Sequence, residues 1–211
     1  MRIIKPGGFV LCFSQSRLSH RVAMALEDAG FEIRDMLAWK YEGQAKAFSQ
    51  DHFIKKRKIS DSEKQDILKS LGGRKTPQLK PQMELIILAQ SPRDGTFVDN
   101  WLKHRTGLID VSSPLIDINK FPGTVLDVPK PRERYGHVTV KPVLLIQHLI
   151  KIFSDGVESA TVFDPFLGSG TTAVAAQLEG RDFIGFDIDE EMVSIARSRV
   201  EKLSIKKNKN S

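Results

Sequence analysis

Apolar and polar positions along the 211 residues fall into regular stretches separated by irregular ones. Phe9 to Phe13 is a short apolar run behind the turn-forming Pro6-Gly7-Gly8, which predicts a buried strand. Leu18, Val22, Ala25, Leu26 and Ala29 follow at helical spacing, and Gly30 supplies the stop of a predicted helix. Phe31 to Trp39 then mixes apolar and charged residues in the manner of a strand. Strand, helix, strand is the unit from which parallel sheets are built.

The pattern breaks from Tyr41 to Pro81, a polar, basic stretch poor in aliphatic residues. A short helix over Ser60 to Leu71, ended by Gly72-Gly73, is the one element predicted there, and residues 41–81 read as an insertion on the rim of the domain. Glu84 to Gln90 is a further strand. Residues 91–135 are proline-rich and show little periodicity, so an irregular surface excursion is expected. Regularity returns at Pro142, suited to the first turn of a helix whose buried face is Val143, Ile146, Leu149, Ile150 and Phe153. Ala160 to Asp164 reads as a strand, Gly168 to Gly170 as a tight loop, Thr171 to Leu178 as a helix of small residues, and Phe183 to Ile188 as a strand. The last helix opens on Asp189-Glu190-Glu191 and carries Met192, Ile195, Ala196, Val200 and Leu203 as its apolar stripe. One domain over 1–205 is therefore expected, with 206–211 a disordered basic tail.

Composition adds limits. A hydrophobic fraction of 40% is enough for a real core, and a formal net charge of +6 leans towards polyanionic partners. The basic residues cluster at Lys55-Lys56-Arg57-Lys58, from Arg74 to Lys80, around Lys130 to Arg134 and in Lys206 to Lys209; each run alone reads equally well as a solvated face. Cys12 is the single cysteine, which excludes an intramolecular disulfide and a cysteine metal cage. No metal site is expected. No apolar run approaches the roughly 20 residues that span a bilayer, and a cytoplasmic location without membrane contact is expected.

The chemistry concentrates in Val162-Phe163-Asp164-Pro165-Phe166-Leu167-Gly168-Ser169-Gly170-Thr171-Thr172. A strand runs into a glycine turn that opens a helix, whose N-terminal N–H groups suit an anionic ligand group. In doubly wound sheets an acid at the end of the next strand, about 20 residues on, holds ribose hydroxyls. Asp187 lies 19 residues after Gly168. Strand, turn, helix, strand and acid in register point to a cofactor that contains a nucleoside.

Asp164-Pro165-Phe166-Leu167-Gly168-Ser169-Gly170-Thr171-Thr172 resembles the cofactor motif of the DNA methyltransferases that modify adenine or cytosine amino groups. His137-Val138-Thr139-Val140-Lys141-Pro142 is similar to that family's His-Pro-Thr-x-Lys-Pro motif, with Val138 in place of proline. Lys5-Pro6-Gly7-Gly8, Glu27 to Ile33 and Lys80 to Ala89 extend the likeness, which runs to about Val200. Their order resembles the permuted arrangement, with the cofactor half last. The resemblance implies an α/β, Rossmann-like methyltransferase fold with a mostly parallel sheet, and S-adenosylmethionine as cofactor. It implies that Asp164, Pro165, Phe166, Gly168, Ser169, Gly170 and Thr171 wrap the cofactor, with Asp164 towards its methionine amino group. Asp187 would hold the ribose, and His137, Thr139 and Lys141 would close the methionine end. Ordinary structural roles stand beside these: a helix-start lysine for Lys141, a loop histidine for His137, core for Phe166.

Methylating an exocyclic amine also requires a grip on that amine and a flipped-out base. In the family an Asp/Asn/Ser-Pro-Pro-aromatic tetrapeptide does this, and no Pro-Pro pair occurs in this sequence. No catalytic residue is therefore assigned. Family order puts the tetrapeptide ahead of Lys5, so the expectation is an N-terminally incomplete chain whose sheet lacks central strands. Such a chain needs double-stranded DNA as partner and either its missing segment or a complementing subunit, and its target-recognition-like 41–81 insertion and its 91–135 excursion would supply phosphate contacts and target-base selection. A non-catalytic DNA- or cofactor-binding partner subunit, or a degenerate relative, is the alternative. An RNA or small-molecule methyltransferase fits the motif order less well.

Overall fold

A computed structural model describes residues 3–112, 114–116, 120–133, 135–136, 140–154 and 160–209, with the backbone alone for 206–209. The elements in chain order are β1 (Phe9–Ser14), α1 (Ser19–Asp28), β2 (Glu32–Lys40), α2 (Asp51–Lys55), α3 (Asp61–Ser70), β3 (Met83–Gln90) and α4 (Phe97–His104). They continue with β4 (Val125–Asp127), α5 (Val143–Ser154), β5 (Thr161–Asp164), α6 (Thr171–Leu178), β6 (Asp182–Gly185) and α7 (Glu190–Lys209). Each strand and helix expected from periodicity is present, with ends displaced by a few residues. α7 reaches Lys209, so its backbone takes in the first part of the expected tail.

Two sheets form: one of four strands in the order β1-β3-β2-β4, and one of β5 and β6. The four-stranded sheet is mixed, within the expected α/β, Rossmann-like architecture. β3 runs antiparallel beside β1, from Phe9 opposite Gln90 to Ser14 opposite Leu85, whereas β2–β4 and β5–β6 are parallel. β1 and β2 are thus not neighbours, because β3 lies between them. Local periodicity marks a strand but carries nothing about its direction.

Residues 42–83 form a compact unit of their own, and the rest of the chain forms the other. The small unit holds α2 and α3, with an isolated bridge between Ser49 and Lys75. α3 starts from a reciprocal cap: the Ser60 hydroxyl accepts from the Glu63 N–H at 3.2 Å, and the Glu63 carboxylate accepts from the Ser60 N–H at 3.0 Å.

In the larger unit the core lies between the four-stranded sheet and α5. Leu37, Trp39, Ile86, Ile116, Leu126, Val128, Leu145 and Leu149 make up its main cluster. Residues 91–135, expected as an irregular surface excursion, contain α4 and β4 and send Ile116, Leu126 and Val128 into this core. Two buried polar contacts hold the stretch in place. The Trp39 indole N–H donates to the Val128 carbonyl at 2.7 Å, and His148 on α5 accepts the backbone N–H groups of Leu115 and Ile116 at 3.1 and 3.2 Å. Buried polar groups demand such partners, so these bonds fix the loop as firmly as apolar contact does. The side-chain amide of Gln90 donates to the carbonyls of Gly7 and Gly107, and its oxygen accepts from Arg34 Nε at 2.7 Å.

A second cluster joins the two sheets. Ile146 and Ile150 of α5 pack with Ala175 and Ala176 of α6, with Phe13 of β1 and Val162 of β5 against them. One helical layer therefore covers both sheets, although no ladder joins β1 to β5 and each pairs on one side only among the described strands. The opposite face of the small sheet is open: Phe163, Ile184 and Phe186 are 45%, 51% and 59% exposed.

Candidate functional site

β5 ends at Asp164, and the chain then turns through Pro165 to Gly170 into α6. The turn is built around the Asp164 carboxylate: one oxygen accepts the Phe166 N–H at 3.0 Å, the other accepts the Thr172 hydroxyl at 2.6 Å. Gly170 has φ +83, a region open to glycine but strained for other residues. A Cβ there would meet Ala196 Cβ at 2.5 Å, so the absence of a side chain also lets α7 close against the start of α6.

The loop is tied to the end of β6 by three bonds. Leu167 N–H donates to the Phe186 carbonyl at 2.8 Å, Phe186 N–H to the Asp164 carbonyl at 3.0 Å, and Gly168 N–H to the Asp187 carboxylate at 2.6 Å. The second Asp187 oxygen accepts the Asp189 N–H at 3.0 Å, which shapes the entry into α7. Both Asp187 oxygens thus accept backbone N–H groups, which fixes the orientation of the carboxylate against the loop. Asp187 is half-buried, and beside it Ile188 is fully exposed and Phe166 is 87% exposed. Two such apolar side chains around a glycine turn and an acid offer a surface on which a flat ring can lie.

Ser169 and Thr171 are buried under α7. The Arg199 guanidinium donates to the Ser169 carbonyl, with Thr171 Oγ1 at 3.3 Å, and its Cζ lies 4.2 Å from the centre of the Tyr135 ring. Burial pulls the Arg199 pKa down, yet a guanidinium stays charged at neutral pH. The Tyr135 hydroxyl donates to the Glu133 carboxylate, a bond that pushes its pKa up. Arg199, Tyr135, Arg132 and Lys141 line a cavity of about 330 Å³.

The structure thus brings Asp164, Phe166, Gly168, Ser169, Gly170, Thr171 and Asp187 into one loop cluster, with Pro165 exposed at its turn. Lys141 stands apart from it. Its ammonium pairs with Glu84 on β3 at 3.1 Å and lies 5.1 Å from the Phe13 ring centre. The cavity it shares with Arg199 connects it to the loop only at second hand. His137 and Thr139 lie outside the described residues. Sequence reasoning missed Thr172, Arg199, Phe186 and Ile188. Thr172 stands in the motif and Ile188 directly follows Asp187, so position alone marked both, whereas Arg199 carries no local signal on its helix. Among the described residues no group of three or more His, Cys, Asp or Glu side chains gathers to hold a metal, and no helix is long and apolar enough to cross a membrane.

A strand, a glycine loop closed by the acid of the next strand, and a helix opening from that loop frame the site in this α/β domain. The DNA methylase family model for N6 and N4 enzymes matches residues 1–198, and the chain belongs to that family of amino-group methyltransferases. It is 32% identical to the Type II methyltransferase M.HindIII of Haemophilus influenzae, over 98% of this chain and 66% of that protein. It is 28% identical to the Type II methyltransferase M2.DpnII of Streptococcus pneumoniae, over 94% of this chain and 62% of that protein. The chain therefore spans just under two thirds of the length of these relatives. Among solved structures, the cytosine-N4-specific PvuII DNA methyltransferase superimposes with a TM-score of 0.61 at 17% identity, over 92% of this chain and 64% of that one. The M1.HpyAVI-SAM complex gives 0.60 at 21% identity, over 94% and 76%. At these identities the two structures establish a shared Rossmann-like methyltransferase fold.

Proposed function

We propose that the Asp164–Asp187 cluster binds S-adenosylmethionine, and that the domain serves methylation of an exocyclic amino group of adenine or cytosine in double-stranded DNA. The observation that carries the reading is the bond from Gly168 N–H to Asp187, which holds the glycine turn and the acid together in one cluster with the start of α6. These residues fit the cofactor. Asp187 would accept the ribose hydroxyls, Phe166 and Ile188 would flank the adenine, and Asp164 with the loop backbone would face the methionine end. His137, Thr139 and Lys141 belong to this reading as the wall beyond that end. Bound there, S-adenosylmethionine supplies an electrophilic methyl on a sulfonium centre.

The protein's own share is to hold that methyl still, exclude water, and present it to a pyramidalising amine. Gripping the amine and accepting its proton falls to groups that these residues do not include, since the sequence has no Pro-Pro tetrapeptide. The reading therefore includes a further strand-bearing segment, in cis or from a complementing subunit. The edges of β1 and β5 that no described strand pairs, under the shared layer of α5 and α6, support it. An unpaired edge beneath a covered face is a natural seat for an added strand. The likeness to Type II methyltransferases of Haemophilus influenzae and Streptococcus pneumoniae supports a role in restriction–modification, in a bacterial cytoplasm. The missing tetrapeptide favours a second reading, a partner subunit that binds cofactor and DNA without its own chemistry.

Labelled methyl transfer to unmethylated duplex DNA decides between them, measured on the chain alone and with a co-expressed segment carrying the tetrapeptide. N6-methyladenine or N4-methylcytosine in the digested DNA, formed only with the segment, supports the first reading. No transfer in either case, from folded chain that binds cofactor, supports the second. Label at a ring carbon or on RNA contradicts both.

A further inference from the structure

Charge is distributed very unevenly between the two units. Residues 42–83 carry ten Lys and Arg against five Asp and Glu, so +5 of the chain's net +6 resides in that unit. Several of its cations are answered locally: Lys64 pairs with Asp61 at 3.0 Å, Lys80 with Glu42 at 3.2 Å, and the Arg74 guanidinium donates to the Ser70 carbonyl at 2.6 Å. Lys55, Lys56, Arg57 and Lys58 differ. All four are exposed, and none makes an ion pair among the described residues. A surface that serves only solubility intersperses both signs, whereas four adjacent like charges repel one another and weaken the segment that carries them.

Aromatic rings stand beside this run. Phe53 of α2 is 55% exposed and Phe48 53% exposed, with ring centres 6.5 Å apart, and the His52 ring lies 5.6 Å from that of Phe53. Gly43 is the one fully buried residue described in the unit, so these rings do not form a core. Unpaired cations next to exposed flat rings match a polymer of phosphates and stackable bases. The cations answer the backbone, and the rings answer a base face or a deformable step.

We propose that the 42–83 unit is the part of this chain that holds the DNA backbone, through Lys55, Lys56, Arg57 and Lys58, with Phe48 and Phe53 set against the bases. The proposal rests on the reading of DNA as substrate and adds where on the chain it is gripped. It also separates two roles: the run supplies salt-dependent, sequence-independent affinity, and the rings supply affinity that salt does not touch.

The test is fluorescence anisotropy of a labelled duplex over a salt series, with the full chain. A variant combining Lys55→Gln, Lys56→Gln, Arg57→Gln and Lys58→Gln removes up to four phosphate contacts. Its slope of log affinity against log salt should fall by about 3 to 4, and its affinity by at least about tenfold at low salt. Phe53→Ala should lower affinity roughly five- to tenfold with the slope unchanged. Cofactor titration by calorimetry should be unaltered in both, since neither variant changes a residue of the Asp164–Asp187 loop. Wild-type slope and affinity in the charge variant would overturn the location while leaving the functional reading intact. No DNA binding by the wild-type chain would overturn both.

Discussion

The Thr172 hydroxyl donates to the Asp164 carboxylate at 2.6 Å, joining the end of β5 to the first turn of α6 across the loop between them. With the Phe166 N–H on its other oxygen, Asp164 works as the internal brace of the turn. Replacing Thr172 with valine keeps the shape and deletes the donor. A hydrogen bond to a charged group contributes about 1.5–3 kcal/mol. Thr172→Val should therefore weaken cofactor binding roughly ten- to 150-fold by calorimetry, while Thr172→Ser stays close to wild type.

Gly170 combines a left-handed backbone with contact against Ala196. Gly170→Ala should cost about 3 kcal/mol, from backbone strain and overpacking together. In a domain of this size that lowers the melting temperature by roughly 6–12 °C. In an Ala196→Gly background the cost should shrink without reaching the backbone part alone, because the Cα of residue 196 still stands 2.7 Å from the added Cβ. An equal cost in both backgrounds would show that the contact is not felt.

Cys12 lies half-buried on β1, and burial pushes its thiol pKa above the ordinary value. The reactive thiolate is thus scarcer at any pH near 8 than in a free cysteine. Alkylation by a maleimide should be slower than for a model thiol at pH 8, and should keep accelerating as pH rises past the point where the model thiol levels off. A rate equal to that of the model thiol would contradict the burial.

How far the sequence could be read depends on the range of the interactions involved. β1, α1, β3, α5 and α6 were legible because their apolar spacing is local. The meeting of the glycine loop with Asp187 was legible because the glycines and the acid stand at set intervals along a strand–loop–helix–strand unit. The place of β3 between β1 and β2 was not, since pairing is decided across the whole sheet. α4 was missed although Thr96 and Asp99 form a reciprocal cap at its start. The surrounding prolines and the helix's exposed Phe97, Val98 and Leu102 hid it. Asn100, fully buried, anchors that helix by donating to the Thr106 carbonyl at 2.8 Å and accepting from the Asp94 N–H at 2.9 Å, contacts that no periodicity announces. Lys141 was placed by motif likeness, and its ion pair with Glu84 of β3, far away in sequence, carries no local signal.

The central claim is that Asp187 and the glycine loop it holds form the S-adenosylmethionine site. Calorimetric titration of the folded chain with S-adenosylmethionine, beside Asp187→Ala, tests it most directly. The account predicts one cofactor per chain, and an affinity at least about tenfold weaker in the variant, as loss of charged hydrogen bonds requires. Equal binding by the two proteins, or none by a wild-type chain shown to be folded, would contradict it.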